Sequence, residues 1–123
     1  MNDITLIENV QHYISWNMNA LAKLNRQQAA RLEGPEVILD YSQIANRIAA
    51  QAKAQIAYDL KRVLDAHGRE GAAEVAARIR AYVLQSIAWV RTPTSTSAIS
   101  NAMDAEMNDQ RIDLARQLGV IGR

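Results

Sequence analysis

Two histidines, four clustered acids and a hydroxyl-rich run are the residues of this 123-residue chain whose types and spacing invite a chemical reading. His12 follows Glu8 by four positions, so both can share one face of a helix. Such a pair could begin a metal site. A helical di-metal centre, however, needs about four carboxylates and two histidines, the latter in Glu-x-x-His pairs, and the chain holds no such pair. His12 therefore reads as an ordinary polar-face residue. His67, close to Asp65, reads as a residue near a helix C-terminus. Asp104, Glu106, Asp109 and Asp113 have the charge to hold a hard cation, but their spacing is not that of a calcium-binding loop. They read as a solvated acidic face.

Thr92-Pro93-Thr94-Ser95-Thr96-Ser97 supplies hydroxyls in number. A nucleophilic hydroxyl needs a base to activate it, and nothing here resembles a nucleophile elbow. A linker that caps the next helix explains the run. The five glycines, at 34, 68, 71, 119 and 122, stand apart from one another, so no phosphate cradle is present. The absence of cysteine removes thiolate chemistry, disulfides and cysteine-based zinc sites. These residues point to a non-enzymatic protein with no cofactor and no metal.

Three runs with helical periodicity are broken at Gly34-Pro35, His67-Gly68 and Thr92-Pro93, where glycine and proline end helices. The first spans about Asp3 to Leu32, with Asp3 as N-cap and Ile7, Val10, Ile14, Leu21 and Leu24 at spacings of three and four. Asn17 interrupts that seam. It could fix the register against another helix or simply face water. Leu6, Tyr13 and Trp16 fall off the seam. After Glu33-Gly34-Pro35-Glu36, Val37, Ile38 and Leu39 read as an apolar connector over the helix ends. The second helix starts from a cap at Asp40 or Ser42 and runs to about His67. Its stripe is Ile44, Ile48, Ala52, Ile56, Leu60, Val63 and Leu64, and its length is roughly 40 Å.

The third helix runs from Arg69 or Glu70 to Arg91. Val75, Ile79, Tyr82, Val83, Ser86, Trp89 and Val90 form its buried face. A one-residue turn at Gly68 makes helices two and three a long antiparallel hairpin. A fourth helix, about Ala98 to Leu118, follows a cap at Ser95 or Ser97. It has a thin apolar face of Ile99, Met103, Met107, Leu114 and Leu118, and Gly119 ends it before a short tail. The expected fold is all-α: a single domain over residues 1–123, an up-down bundle of three to four helices, with 92–97 as a Ser/Thr linker to the C-terminal helix 98–118.

Composition bounds the function. Alanine fills much of the 49% hydrophobic share and phenylalanine is absent, which suits closely packed helices rather than a thick aromatic core. No stretch reaches the roughly 18 apolar residues of a membrane span, and the N-terminus lacks a basic signal-peptide region. A cytoplasmic protein is expected, or a virion component if the chain is phage-derived. Net charge is +1, yet residues 41–91 hold eight basic and four acidic groups. Arg47, Lys53, Lys61, Arg62, Arg69, Arg78 and Arg80 are therefore a candidate surface for an acidic partner or nucleic acid, although the helices are long for a helix-turn-helix.

The leading expectation is a small interaction or assembly protein that self-associates. Helix one has apolar residues on two sides, and helix four has too thin a face to stand alone. Leu6, Tyr13 and Trp16 are the candidate protein interface. In style, though in no particular residue, such a short motif-free helical chain resembles bacteriophage or mobile-element accessory and virion proteins. The alternative is a nucleic-acid-binding regulator that uses the basic middle segment.

Overall fold

A computed structural model describes residues 1–32, 41–89 and 97–122. The described residues form four helices and no strand: α1 (Asp3–Leu32), α2 (Tyr41–Ala66), α3 (Ala72–Ala88) and α4 (Ala98–Gln117). The chain is an all-α bundle, as the periodicity implies. The Val37–Leu39 connector, Val90 and most of the Ser/Thr linker lie outside the described residues.

Helix ends follow from local chemistry. The Asn2 side chain accepts a hydrogen bond from the Thr5 N–H at 2.8 Å, so Asn2 is the cap of α1 and Asp3 sits in the first turn, where a carboxylate suits the positive end of the helix dipole. This corrects the expected cap by one residue. Ser97 does cap α4, its Oγ accepting from the Ser100 N–H at 3.3 Å. At the other end Gly119 takes φ +69°. The Val120 N–H then returns to the Ala115 carbonyl at 2.9 Å, and the Gly119 N–H to that of Arg116 at 3.1 Å. This is a Schellman closure. It folds Val120 and Ile121 back against the core rather than leaving them as a tail.

The turn between α2 and α3 is longer than a single glycine. It spans 67–71, with the Glu70 N–H on the His67 carbonyl at 3.0 Å and the Glu70 carboxylate 3.0 Å from His67 Nδ1. Gly71, expected inside the helix, is instead the extended residue that precedes it. Tyr82 of α3 donates to Asp59 of α2 at 3.1 Å. The two residues lie at similar distances from the turn, as in an antiparallel hairpin. Gln28 and Arg47 link the end of α1 to the start of α2: the Gln28 amide donates to the Gln43 carbonyl at 3.0 Å, and Arg47 donates to Gln28 at 3.2 Å and Asn25 at 2.7 Å.

The helices differ in reach. At 1.5 Å per residue, α1 is about 45 Å long and α3 only about 25 Å. The bundle therefore has two ends. The turn end holds the start of α1, the end of α2, α3 and the end of α4. Its core is Leu6, Val10, Ile14, Ile56, Leu60, Val75, Ile79, Val83, Leu114 and Leu118, all buried. At the far end α1, α2 and α4 continue past α3, which stops at Trp89 beside Met107 and Arg111. No large aliphatic side chain is buried there among the described residues; the buried set is Asn17, Gln28, Ala52 and Ala54.

The expected stripes shift accordingly. On α1 the buried residues are Leu6, Val10, Ile14 and Asn17, and Ile7 is only partly covered. Asn17 does not reach another helix through its amide nitrogen; Nδ2 donates to the Tyr13 carbonyl one turn earlier, at 2.9 Å. Ile56, Leu60, Ile79 and Val83 are buried as expected, while Ile48 is only half-buried. Ile44 and Ile99, expected on buried faces, are 41% and 68% exposed.

Candidate functional site

Trp16 is the largest exposed aromatic on the surface, at 67% exposure. Its position follows from helix geometry. His12, Trp16, Asn19, Lys23 and Gln27 recur at intervals of three and four, which aligns them on one face of α1. All five are exposed. The His12 and Trp16 rings stack at 6.0 Å with a 31° tilt.

That face looks into a groove. α1 and α4 each pack on α2 and α3, but their backbones do not approach one another. Near the turn end, Asn9, His12, Tyr13, Trp16 and Asn17 of α1 meet Leu114, Gln117 and Leu118 of α4 around a cleft of about 320 Å³. Toward the far end, a second cleft of about 610 Å³ runs from Trp16 past Lys23 and Gln27 to Asn46 of α2. Trp16 borders both. A third, aliphatic cleft of about 550 Å³ opens between α2 and α4, lined by Ile44, Ile48, Ile99 and alanines, with Glu106 at its edge.

The α4 side of the first cleft is Leu114, Gln117 and Leu118, and the acids of α4 lie beside it. Glu106, Asp109 and Asp113 fall at intervals of three and four on one face. Asp113 accepts from Gln117 at 2.8 Å and faces Tyr13 of α1, whose phenol is pushed up to about 12 by burial and by that carboxylate. The Tyr13 hydroxyl is buried and has no partner among the described residues. Tyr82 is raised further, by burial and by Asp59, with Arg111 opposing. The Arg111 guanidinium lies 5.5 Å from the Trp89 ring centre, and the Tyr82 ring meets Trp89 edge-on. These tyrosines hold their protons throughout the neutral range and serve as packing and hydrogen-bonding groups there.

The candidate interface residues separate. Trp16 is exposed and Tyr13 half-buried in the cleft, whereas Leu6 is fully buried in the core and cannot meet a partner. Leu6 lies one turn before Val10 and three before Asn17, and this row, rather than the one through Ile7, faces α2 and α3. The sequence placed His12 and the acids of α4 on solvated faces, as they are, but did not single out Lys23 beside Trp16. Their spacing was visible, but which face looks across the groove depends on how the helices pack.

The basic residues of 41–91 are dispersed. Arg47 is tied to Asn25 and Gln28. Lys61 pairs with Asp65 at 2.8 Å, Arg80 with Asp3 at 2.9 Å, and Arg78 lies 3.9 Å from Glu70. The Asp65 hydrogen bond, then its charge, raises the Lys61 pKa. Arg62 sits over the Tyr58 ring at 6.0 Å. Lys53 is half-buried and Arg69 is exposed beside the turn. Among the described residues no three His, Asp or Glu side chains converge as metal ligands, and no helix is long and apolar enough to cross a membrane.

No family model, no curated protein and no solved structure matches this chain.

Proposed function

We propose that this chain is a non-enzymatic interaction and assembly protein that self-associates through the α1 face centred on Trp16. One observation carries the reading: a tryptophan with two-thirds of its surface exposed stands between two clefts, on a face with a mixed apolar and amide lining. Leaving a large aromatic in water forgoes a favourable burial of a few kcal/mol. Exposed aromatics at the centre of a lined surface are the anchors that protein interfaces use. The bacteriophage or mobile-element setting we propose with it, accessory or virion, rests on the make-up of the chain and is tested by its gene neighbourhood.

The nucleic-acid alternative draws less support, because Arg47, Lys61, Arg78 and Arg80 already face protein groups. Sedimentation equilibrium at micromolar concentration tests the proposal. Association should be seen, and Trp16→Ala should weaken it roughly tenfold or more, the loss typical of an aromatic anchor, with the thermal unfolding midpoint unchanged. A chain that stays monomeric would refute self-association.

A further inference from the structure

We infer that α1 packs antiparallel on the α1 of a second copy, about a two-fold axis that passes beside Trp16. The inference rests on the self-association proposed above and adds the orientation and the residues that pair. The exposed face of α1 selects the occupant. Glu8, His12, Trp16, Asn19 and Lys23 recur at intervals of three and four, so one side of the helix presents them together, and all five are exposed. Glu8 lies eight residues before Trp16 and Lys23 seven after it. A carboxylate and an ammonium thus flank the indole at nearly equal distances, about 12 and about 10 Å along the helix. Arg26, also exposed, follows Lys23 by three positions. None of the ion pairs among the described residues engages Glu8, Lys23 or Arg26; Asp3, the other acid of α1, is held by Arg80.

Opposite charges set evenly about an aromatic centre make a surface that complements itself, which is what a two-fold contact requires. An unrelated partner would need no such symmetry. Half a turn about an axis perpendicular to α1 brings residue 8 of one copy level with residue 23 of the other, and residue 12 level with residue 19. Glu8 of each copy then meets Lys23 of the other, with Arg26 one turn beyond. His12 faces Asn19. The two Trp16 rings meet at the axis, the centre of the contact, where water is best excluded. A parallel arrangement would set Glu8 on Glu8 and Lys23 on Lys23, and like charges disfavour it. Trp16 also borders the cleft that it shares with Leu114 and Leu118 of α4, so the contact lies across the mouth of that cleft.

Charge reversal on the full chain, read by sedimentation equilibrium, tests this. The wild type should reach a dimer and stop there. Glu8→Lys and Lys23→Glu should each weaken dimerisation roughly tenfold or more, since each turns two symmetric attractions into repulsions. Both should keep the wild-type far-UV circular dichroism, because both residues are exposed. An equimolar mixture of the two variants should dimerise to within about fivefold of wild type, because each mixed pair again sets a lysine opposite a glutamate. A mixture no tighter than the variants alone would overturn the pairing. Wild-type association that neither reversal weakens would overturn this orientation and leave self-association standing. Open-ended oligomers would exclude the two-fold contact. A wild type that remains monomeric would remove both this inference and the proposal beneath it.

Discussion

The two ends of the bundle are built from the same helices and reach opposite outcomes. At the turn end four helices enclose an aliphatic core of Leu, Ile and Val to which every helix contributes. At the far end α1, α2 and α4 run on without α3, and what they bury among the described residues is two alanines and two amides. Large apolar side chains occur at both ends. They are covered at one and exposed at the other, as Ile79 and Ile99 show. The difference teaches that burial here is set by the length of α3 more than by the composition of its neighbours. A helix of 17 residues cannot cover partners of 26 and 30.

Truncating the covered core should have the largest effect. Ile79→Ala should cost about 2–4 kcal/mol in chemical denaturation, because Val75, Val83 and Leu60 crowd the site and limit its collapse. A loss below about 1 kcal/mol would mean that the turn end is not the stability centre.

A high-pH titration probes the junction between the ends. The Tyr13 phenol, held near 12 against an ordinary value of 10, is uncharged in the fold at a pH where the unfolded chain ionises. Its folded value is raised, so its contribution, on the order of 1–2 kcal/mol, is complete below pH 10 and is lost as pH rises through 12. Absorbance at the phenolate band should show late titration that Tyr13→Phe removes. Simultaneous titration of every tyrosine near pH 10 would place Tyr13 in water.

At the far end, amides stand in for an aliphatic core. Gln28→Ala should cost about 1 kcal/mol, since it strips a partner from both the Gln43 carbonyl and the Arg47 guanidinium. Ile99→Ala should change monomer stability least, by about 0.5 kcal/mol or less, as its side chain is mostly in water. Equal losses at Ile79 and Ile99 would erase the contrast between the ends.

The sequence made the helices legible because their boundaries are local. Asn2, Ser97 and Gly119 act through hydrogen bonds and backbone angles within a few residues of themselves. The stripe of α3 was readable for the same reason: Val75, Ile79, Val83 and Ser86 keep one period and are all buried. The identity of the buried face on α1 was not. Leu6 and Ile7 are adjacent apolar residues, and only the positions of α2 and α3 decide that Leu6 points inward. Ile44 and Ile99 lie on regular stripes, so periodicity alone counts them as core. Their exposure follows from α3 ending at Ala88, short of the expected Arg91, which no residue of α2 or α4 announces. The groove is legible only in part: Trp16 stood out as an off-seam aromatic, but its place between two clefts, level with Leu114 and Leu118 of α4, needed three dimensions.

The central claim is that the groove-lining face of α1 and α4 is where copies of this chain meet. Amide hydrogen exchange followed against protein concentration tests it most directly. Exchange in the helices should slow with concentration around His12–Lys23 and Leu114–Leu118, while the rates at Ile56, Ile79 and Val83 follow global unfolding alone. Protection that does not change with concentration along α1 and α4, or that rises only elsewhere, would contradict the account.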